Sequence, residues 1–111
     1  MVEVTFERLD GVLFISASGR LEAGSAPAFL KSVRAEIEDV ERAVIMDFEK
    51  LEYLGSAGLR VVFMTASELE KRGARLAVCS PPKPIAKVIR LSGMEQLIPV
   101  HPSREDALAA L

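Results

Sequence analysis

Few side chains in this sequence combine a reactive type with a setting that could use it. Ser56 stands in Tyr53-Leu54-Gly55-Ser56-Ala57-Gly58-Leu59-Arg60, after the apolar run Ala43-Val44-Ile45-Met46-Asp47-Phe48 and a short polar interlude. That order reads as a buried strand, a tight loop and a serine where a helix begins. A helix start carries backbone N–H groups without intrahelical partners and a partial positive charge, so it tolerates an anion. A phosphate on the serine would add roughly −1.5 to −2 charge and three strong acceptor oxygens. The position also has a plainer reading. Serine is among the preferred helix N-caps, and its hydroxyl would satisfy a first-turn N–H for about 1 kcal/mol.

The other reactive types are isolated. His101, the one histidine, lies beside Pro102 in what reads as a strand-to-helix loop, with no positioned acid or nucleophile nearby in sequence. General acid–base catalysis needs such a partner. Cys79 closes an apolar strand and reads as a small core residue. No cysteine and histidine spacing matches a zinc site. Gly55-Ser56-Ala57-Gly58 lacks the Gly-Lys-Ser/Thr ending of a P-loop, and no G-x-G-x-x-G occurs. Asp47 and Glu49 flank Phe48, and Glu52 follows; they read as solvated loop charges rather than a magnesium site, which would need converging carboxylates and a phosphate. Met64 and Met94 read as core filling.

These residues must be held by the surrounding elements. Val2, Val4 and Phe6 alternate with Glu3, Thr5 and Glu7, a period-two strand. Asp10-Gly11 is a hairpin signal, Val12 to Gly19 the returning strand, and Arg20 to Gly24 a loop. Ser25 can cap a helix with Pro27 in its first turn, and Phe29, Leu30, Val33 and Ile37 carry its apolar stripe to about Asp39. Arg42 to Phe48 reads as a central strand. From Ala57 the period becomes 3.6, with Leu59, Val62, Phe63, Ala66 and Leu69 on one face and Gly73 as the stop. Arg75 to Cys79 is a short strand. Pro81, Pro82 and Pro84 open a helix striped by Ile85, Val88, Ile89 and Leu91 up to Gly93. Ile98-Pro99-Val100 is a brief edge strand, and Ser103 caps a last helix, Arg104 to Leu111. The expected fold is α/β: one domain over residues 1–111, in the order β-β-α-β-α-β-α-β-α. Its sheet is mixed, an N-terminal hairpin followed by parallel βα units, packed with about four helices.

Composition narrows the function. The 111 residues are 50% apolar and carry a net charge of −2 with the basic residues scattered, so no stripe exists to neutralise a nucleic-acid backbone. One cysteine cannot form an internal disulfide, which fits a reducing compartment. No basic start and apolar run mark a signal peptide, and no run approaches the roughly 20 apolar residues that span a bilayer. The expectation is a cytoplasmic protein without membrane or nucleic-acid partners.

The element order, the segment Gly19-Arg20-Leu21-Glu22 and the block from Val44 to Val62 together resemble the STAS domain family. Within it, the bacterial anti-sigma factor antagonists are most similar. That resemblance covers nearly the whole chain. It implies a binding protein without a cofactor, which engages an anti-sigma factor of the serine-kinase type and frees a sigma factor. It also implies that the kinase phosphorylates a serine at the helix start and that a PP2C-type phosphatase reverses this. The family pattern D-S-S-G places the acceptor directly before glycine. Here Ala57 holds that place and Gly55 holds the aspartate place, which leaves Ser56 as the loop's hydroxyl and the expected phosphorylation site. Glu22 matches the family's acidic position. The partner surface implied is Glu22 with Leu54, Gly55, Ser56, Ala57, Gly58, Leu59 and Arg60, on a monomer or weak dimer. The alternative within the resemblance is an unphosphorylated STAS subunit of a larger assembly, such as a lipid-transport complex or signalling platform.

Overall fold

Val2–Leu9 (β1) and Val12–Leu21 (β2) form an antiparallel hairpin around Asp10-Gly11, with Leu9 opposite Val12 and Val2 opposite Gly19. The computed structural model describes residues 1–37 and 42–111. The chain continues through Ala26–Glu36 (α1), Ala43–Asp47 (β3), Leu51–Leu54 (β4), Ser56–Glu70 (α2) and Arg75–Cys79 (β5). It ends with Lys83–Ser92 (α3), a 3-10 turn at Met94–Gln96, Val100–His101 (β6) and Arg104–Ala109 (α4). The sheet order is β1-β2-β3-β5-β6, and every pair beyond the hairpin is parallel. The mixed sheet read from the sequence is therefore present, with helices following the strands in the expected order.

Several boundaries differ from the sequence reading, each for a local reason. The interlude before Ser56 contains a fourth strand, β4, which pairs with the end of β2. β3 stops pairing at Ser16 opposite Asp47, so the last third of β2 has a free flank that β4 occupies. β2 accordingly runs to Leu21, and Arg20 and Leu21 are strand rather than loop. β6 lies one to two residues later than expected; Pro99 cannot donate, but its carbonyl accepts from the Val78 amide at 2.9 Å. His101 is thus in a strand. α1 is helical to Glu36, and the expected end near Asp39 lies outside the described residues. Ser103 caps α4 as expected, accepting from the Asp106 amide.

The sheet's two faces are covered unequally. Leu13, Ile15, Val44, Met46, Leu76 and Val78 join Phe29 of α1, Val62 and Leu69 of α2, and Ile85 and Ile89 of α3 in the main core. Among the described residues, the apolar cover of the opposite face, with Val12, Phe14, Ala43, Ile45, Ala77 and Cys79, comes from Ala107 and the half-buried Leu108 of α4. Along α2 the buried line is Val61, Val62, Thr65 and Leu69, while Leu59, Phe63 and Ala66 are half-buried. The helix is therefore rotated from the expected stripe; the Thr65 hydroxyl is satisfied by the Val61 carbonyl at 2.9 Å. Met94 fills the core, but Met64 is only half-buried and lies outside it.

Asp47 corrects the reading of solvated loop charges. Its residue is only 8% exposed, and its carboxylate accepts from Arg104 Nε at 2.8 Å and from the Glu49 amide at 3.0 Å. Arg104 also donates to Glu7 and to the Ser16 hydroxyl, each at 3.0 Å, and its guanidinium stacks on Phe14 at 4.6 Å. The bond to Asp47, with that to Glu7, holds the Arg104 pKa above its ordinary value. One side chain thus ties the last helix to β1, β2 and β3. Replacing Arg104 with Ala should strand the Asp47 carboxylate and cost about 1–3 kcal/mol in urea unfolding, with Lys recovering part of the loss.

Candidate functional site

The site is built where two parallel strands end together. Leu21 of β2 stands opposite Leu54 of β4, and the Gly55 amide donates to the Leu21 carbonyl at 2.9 Å. Glu22 and Ser56, separated widely in sequence, therefore leave neighbouring strand ends. Gly19 sets the register of this meeting. It has φ +95°, and a β-carbon there would lie 2.5 Å from the Met1 carbonyl oxygen, so a side chain is excluded. The register shift that follows, between Gly19 and Arg20, aligns Arg20 with Tyr53.

Helix α2 begins differently from the capping reading. Gly55 is the N-cap, in extended conformation, and Ser56 is the first helical residue, exposed and making no side-chain cap bond. The first intrahelical bond runs from the Leu59 amide to the Gly55 carbonyl at 3.0 Å. Gly58 is buried where the helix crosses β2. A β-carbon would lie 2.8 Å from both Leu21 Cγ and the Leu21 carbonyl oxygen, and 2.9 Å from Leu54 Cδ1. The approach is possible only for glycine.

The structure separates the expected surface residues into two kinds. Leu54 and Gly58 are buried, and Ala57 and Leu59 are half-buried against the core, so these four set the backbone path. Ser56 and Arg60 are exposed, Gly55 is half-buried, and the Glu22 side chain is 38% exposed. Two further residues belong to this surface. Tyr53 is 42% exposed, its ring folds back against Gly55, and Arg20 stacks over it at 4.4 Å. Arg20 Nε also donates to Glu22 at 2.9 Å, which fixes the carboxylate's place. Beneath them the buried Ser25 hydroxyl donates to the Arg20 carbonyl at 2.6 Å and accepts from the Glu22 amide at 3.1 Å. Ser25 is the N-cap residue of α1, but its hydroxyl closes this turn instead of capping the helix. The Arg20–Tyr53 pairing could be found only once β4 was recognised as a strand.

Elsewhere the chemistry is quiet. Cys79 is buried, and desolvation pushes its thiol up to about 11 from an ordinary value of 9.0. His101 is half-buried within β6, and its carbonyl accepts from the Ser80 amide. Among the described residues no group of three metal-ligating side chains converges, and no helix is long and apolar enough to cross a membrane.

Two expectations follow. Gly58→Val should lower stability by about 1–3 kcal/mol through overpacking, and Gly58→Ala by somewhat less, read in urea or thermal unfolding. For Cys79 the folded pKa is raised, so its stabilising share is complete below the unfolded value and is lost as pH rises from about 9 to about 11. Stability measured across that window should fall less steeply in Cys79→Ala than in the wild type.

The family model described as "STAS domain" matches residues 3–107. BtrV of Bordetella bronchiseptica, named as an anti-sigma factor antagonist, is 32% identical over 98% of this chain and 94% of its own length. The crystal structure of an anti-sigma factor antagonist from Mycobacterium paratuberculosis is similar at TM-score 0.90 and 30% identity, covering 99% of this chain and 93% of that one. The phosphorylated form of the Bacillus cell fate determinant SpoIIAA shares the fold at TM-score 0.73 and 21% identity, covering 97% of this chain and 98% of that one.

Proposed function

The chain belongs to the STAS domain family, and from that premise we propose that it acts as an anti-sigma factor antagonist, a regulatory binding protein rather than an enzyme. The observation that carries this reading is the exposed Ser56 hydroxyl at the first turn of α2, just past the end of β4, which pairs with the strand that leads into Glu22. It sits in a chain similar along nearly its whole length to proteins named for that role. In this reading a serine-kinase anti-sigma factor is held against Glu22, Gly55, Ser56 and Arg60, with Arg20 and Tyr53 at the same surface, and its sigma factor is released. The kinase then phosphorylates Ser56, and a PP2C-type phosphatase restores the binding form. All of this belongs in the cytoplasm, where transcription takes place.

The physical switch is simple. A thousandfold change in affinity corresponds to about 4 kcal/mol. Phosphate at the start of α2 is tolerated in the free protein, because the first-turn N–H groups face it. Against a partner the same dianion must be desolvated, and it adds negative charge to a surface that already carries the Glu22 carboxylate; both effects oppose binding. Ala57, at the family's usual acceptor place, carries no hydroxyl and packs against the core. It favours a second reading, a constitutively binding STAS subunit that is never phosphorylated.

A titration against the anti-sigma factor captured from the source organism separates the two. Ser56→Ala should bind like the wild type and resist switching. Ser56→Asp should weaken binding about tenfold or more, and authentic phosphoserine should weaken it further. Equal affinity for all four forms would contradict the switch and support the constitutive subunit.

A further inference from the structure

β1 is the end strand of the sheet, and the hairpin fixes which of its backbone groups are free. The Arg20 amide donates to the Met1 carbonyl, and Leu9 stands opposite Val12 across a two-residue turn. Odd-numbered residues of β1 therefore exchange both ladder bonds with β2. The N–H and C=O groups of Val2, Val4 and Phe6 point outward, and among the described residues they have no backbone partner. The three side chains are half-buried and pack against the main core, while Glu3, Thr5 and Glu7 are exposed on the other face.

We infer that this edge pairs with β1 of a second copy of the chain, antiparallel about a two-fold axis through Val4. Ladder parity allows even-numbered residues to pair only with even-numbered ones. Centred on Val4, that residue faces its own copy, and Val2 faces Phe6 of the second copy. About six backbone hydrogen bonds form, and the two half-buried rows join into one apolar row. On the exposed face Glu3 meets Thr5 of the second copy, so no carboxylate faces another. The neighbouring registers are worse. Centring on Thr5 sets Glu3 opposite Glu7 on both sides of the axis, a repulsive arrangement. Centring on Phe6 brings Arg8, whose guanidinium bonds to Glu36, against Val4 and leaves Val2 unpaired. The charge pattern thus selects a self-complementary register, in an isologous contact of the kind that closes a dimer. One short strand places the interface at the small end of the range, below about 1,200 Å², so the dimer is weak and concentration-dependent.

Sedimentation of the full chain from micromolar to about 1 mM tests this directly. The expected result is a reversible rise from the 12.1 kDa monomer toward twice that mass. Thr5→Lys sets a cation opposite Glu3 at two symmetric places and should tighten the dimer by about threefold or more. Thr5→Glu should weaken it at least as much, and since Thr5 is exposed both variants should melt like the wild type. Val4→Pro removes an outward N–H without touching the β2 ladder and should abolish the dimer; if it fails to fold, the Thr5 pair still decides. A 12.1 kDa species at every concentration would overturn the proposal, as would a dimer indifferent to both Thr5 substitutions. A monomer that instead takes up a foreign extended peptide along β1 would overturn it too.

Discussion

The close crossing of α2 over the end of β2 is the constraint on which the candidate site depends. Gly58 lets the helix backbone sit on Leu21 and Leu54 with no room for a β-carbon. That contact, together with the Gly55 amide bonded to the Leu21 carbonyl, locks two strand ends at one depth. Glu22 leaves one and Ser56 leaves the other. Neither residue is held by a strong interaction of its own with the other; both inherit their place from buried packing beneath them. A small shift at Gly58 would therefore be felt as a displacement of the serine relative to the carboxylate.

The same logic extends through the turn between β2 and α1. Gly19 adopts a left-handed conformation under the Met1 carbonyl and shifts the register, so Arg20 lies across from Tyr53. Ser25 then closes the turn from below with its hydroxyl. The outcome is an ordered surface patch of Tyr53, Arg20 and Glu22 beside the helix start. Such a patch is preorganised, so a partner bound there, as proposed, would lose less entropy on docking. The far face of the sheet is fastened separately, by Arg104 reaching Asp47, Glu7 and Ser16 from the first turn of α4.

Much of this was legible from residue order. The hairpin, the parallel strands and the long helix after the serine follow from apolar periodicity and from Asp-Gly and Gly punctuation. The parts that were not legible depend on neighbours distant in sequence. β4 has buried ends and an exposed middle rather than strict alternation, and its bonds come from β2. Asp47 looked like a loop charge because its partner, Arg104, is 57 positions away. Ser56 looked like an N-cap because serine favours that place, yet the cap fell to Gly55, one residue earlier. The segment Gly19-Arg20-Leu21-Glu22 showed its family resemblance in sequence, but the reason for its glycine appears only with the Met1 carbonyl above it.

The most direct test of the central claim is to follow phosphate and complex together. The unmodified protein, bound to its captured anti-sigma factor, is given ATP, and site-resolved mass spectrometry is read alongside dissociation of the complex. The account predicts one phosphate, on Ser56, appearing in step with dissociation. Phosphate at any other residue, or an intact complex with Ser56 fully phosphorylated, would contradict it.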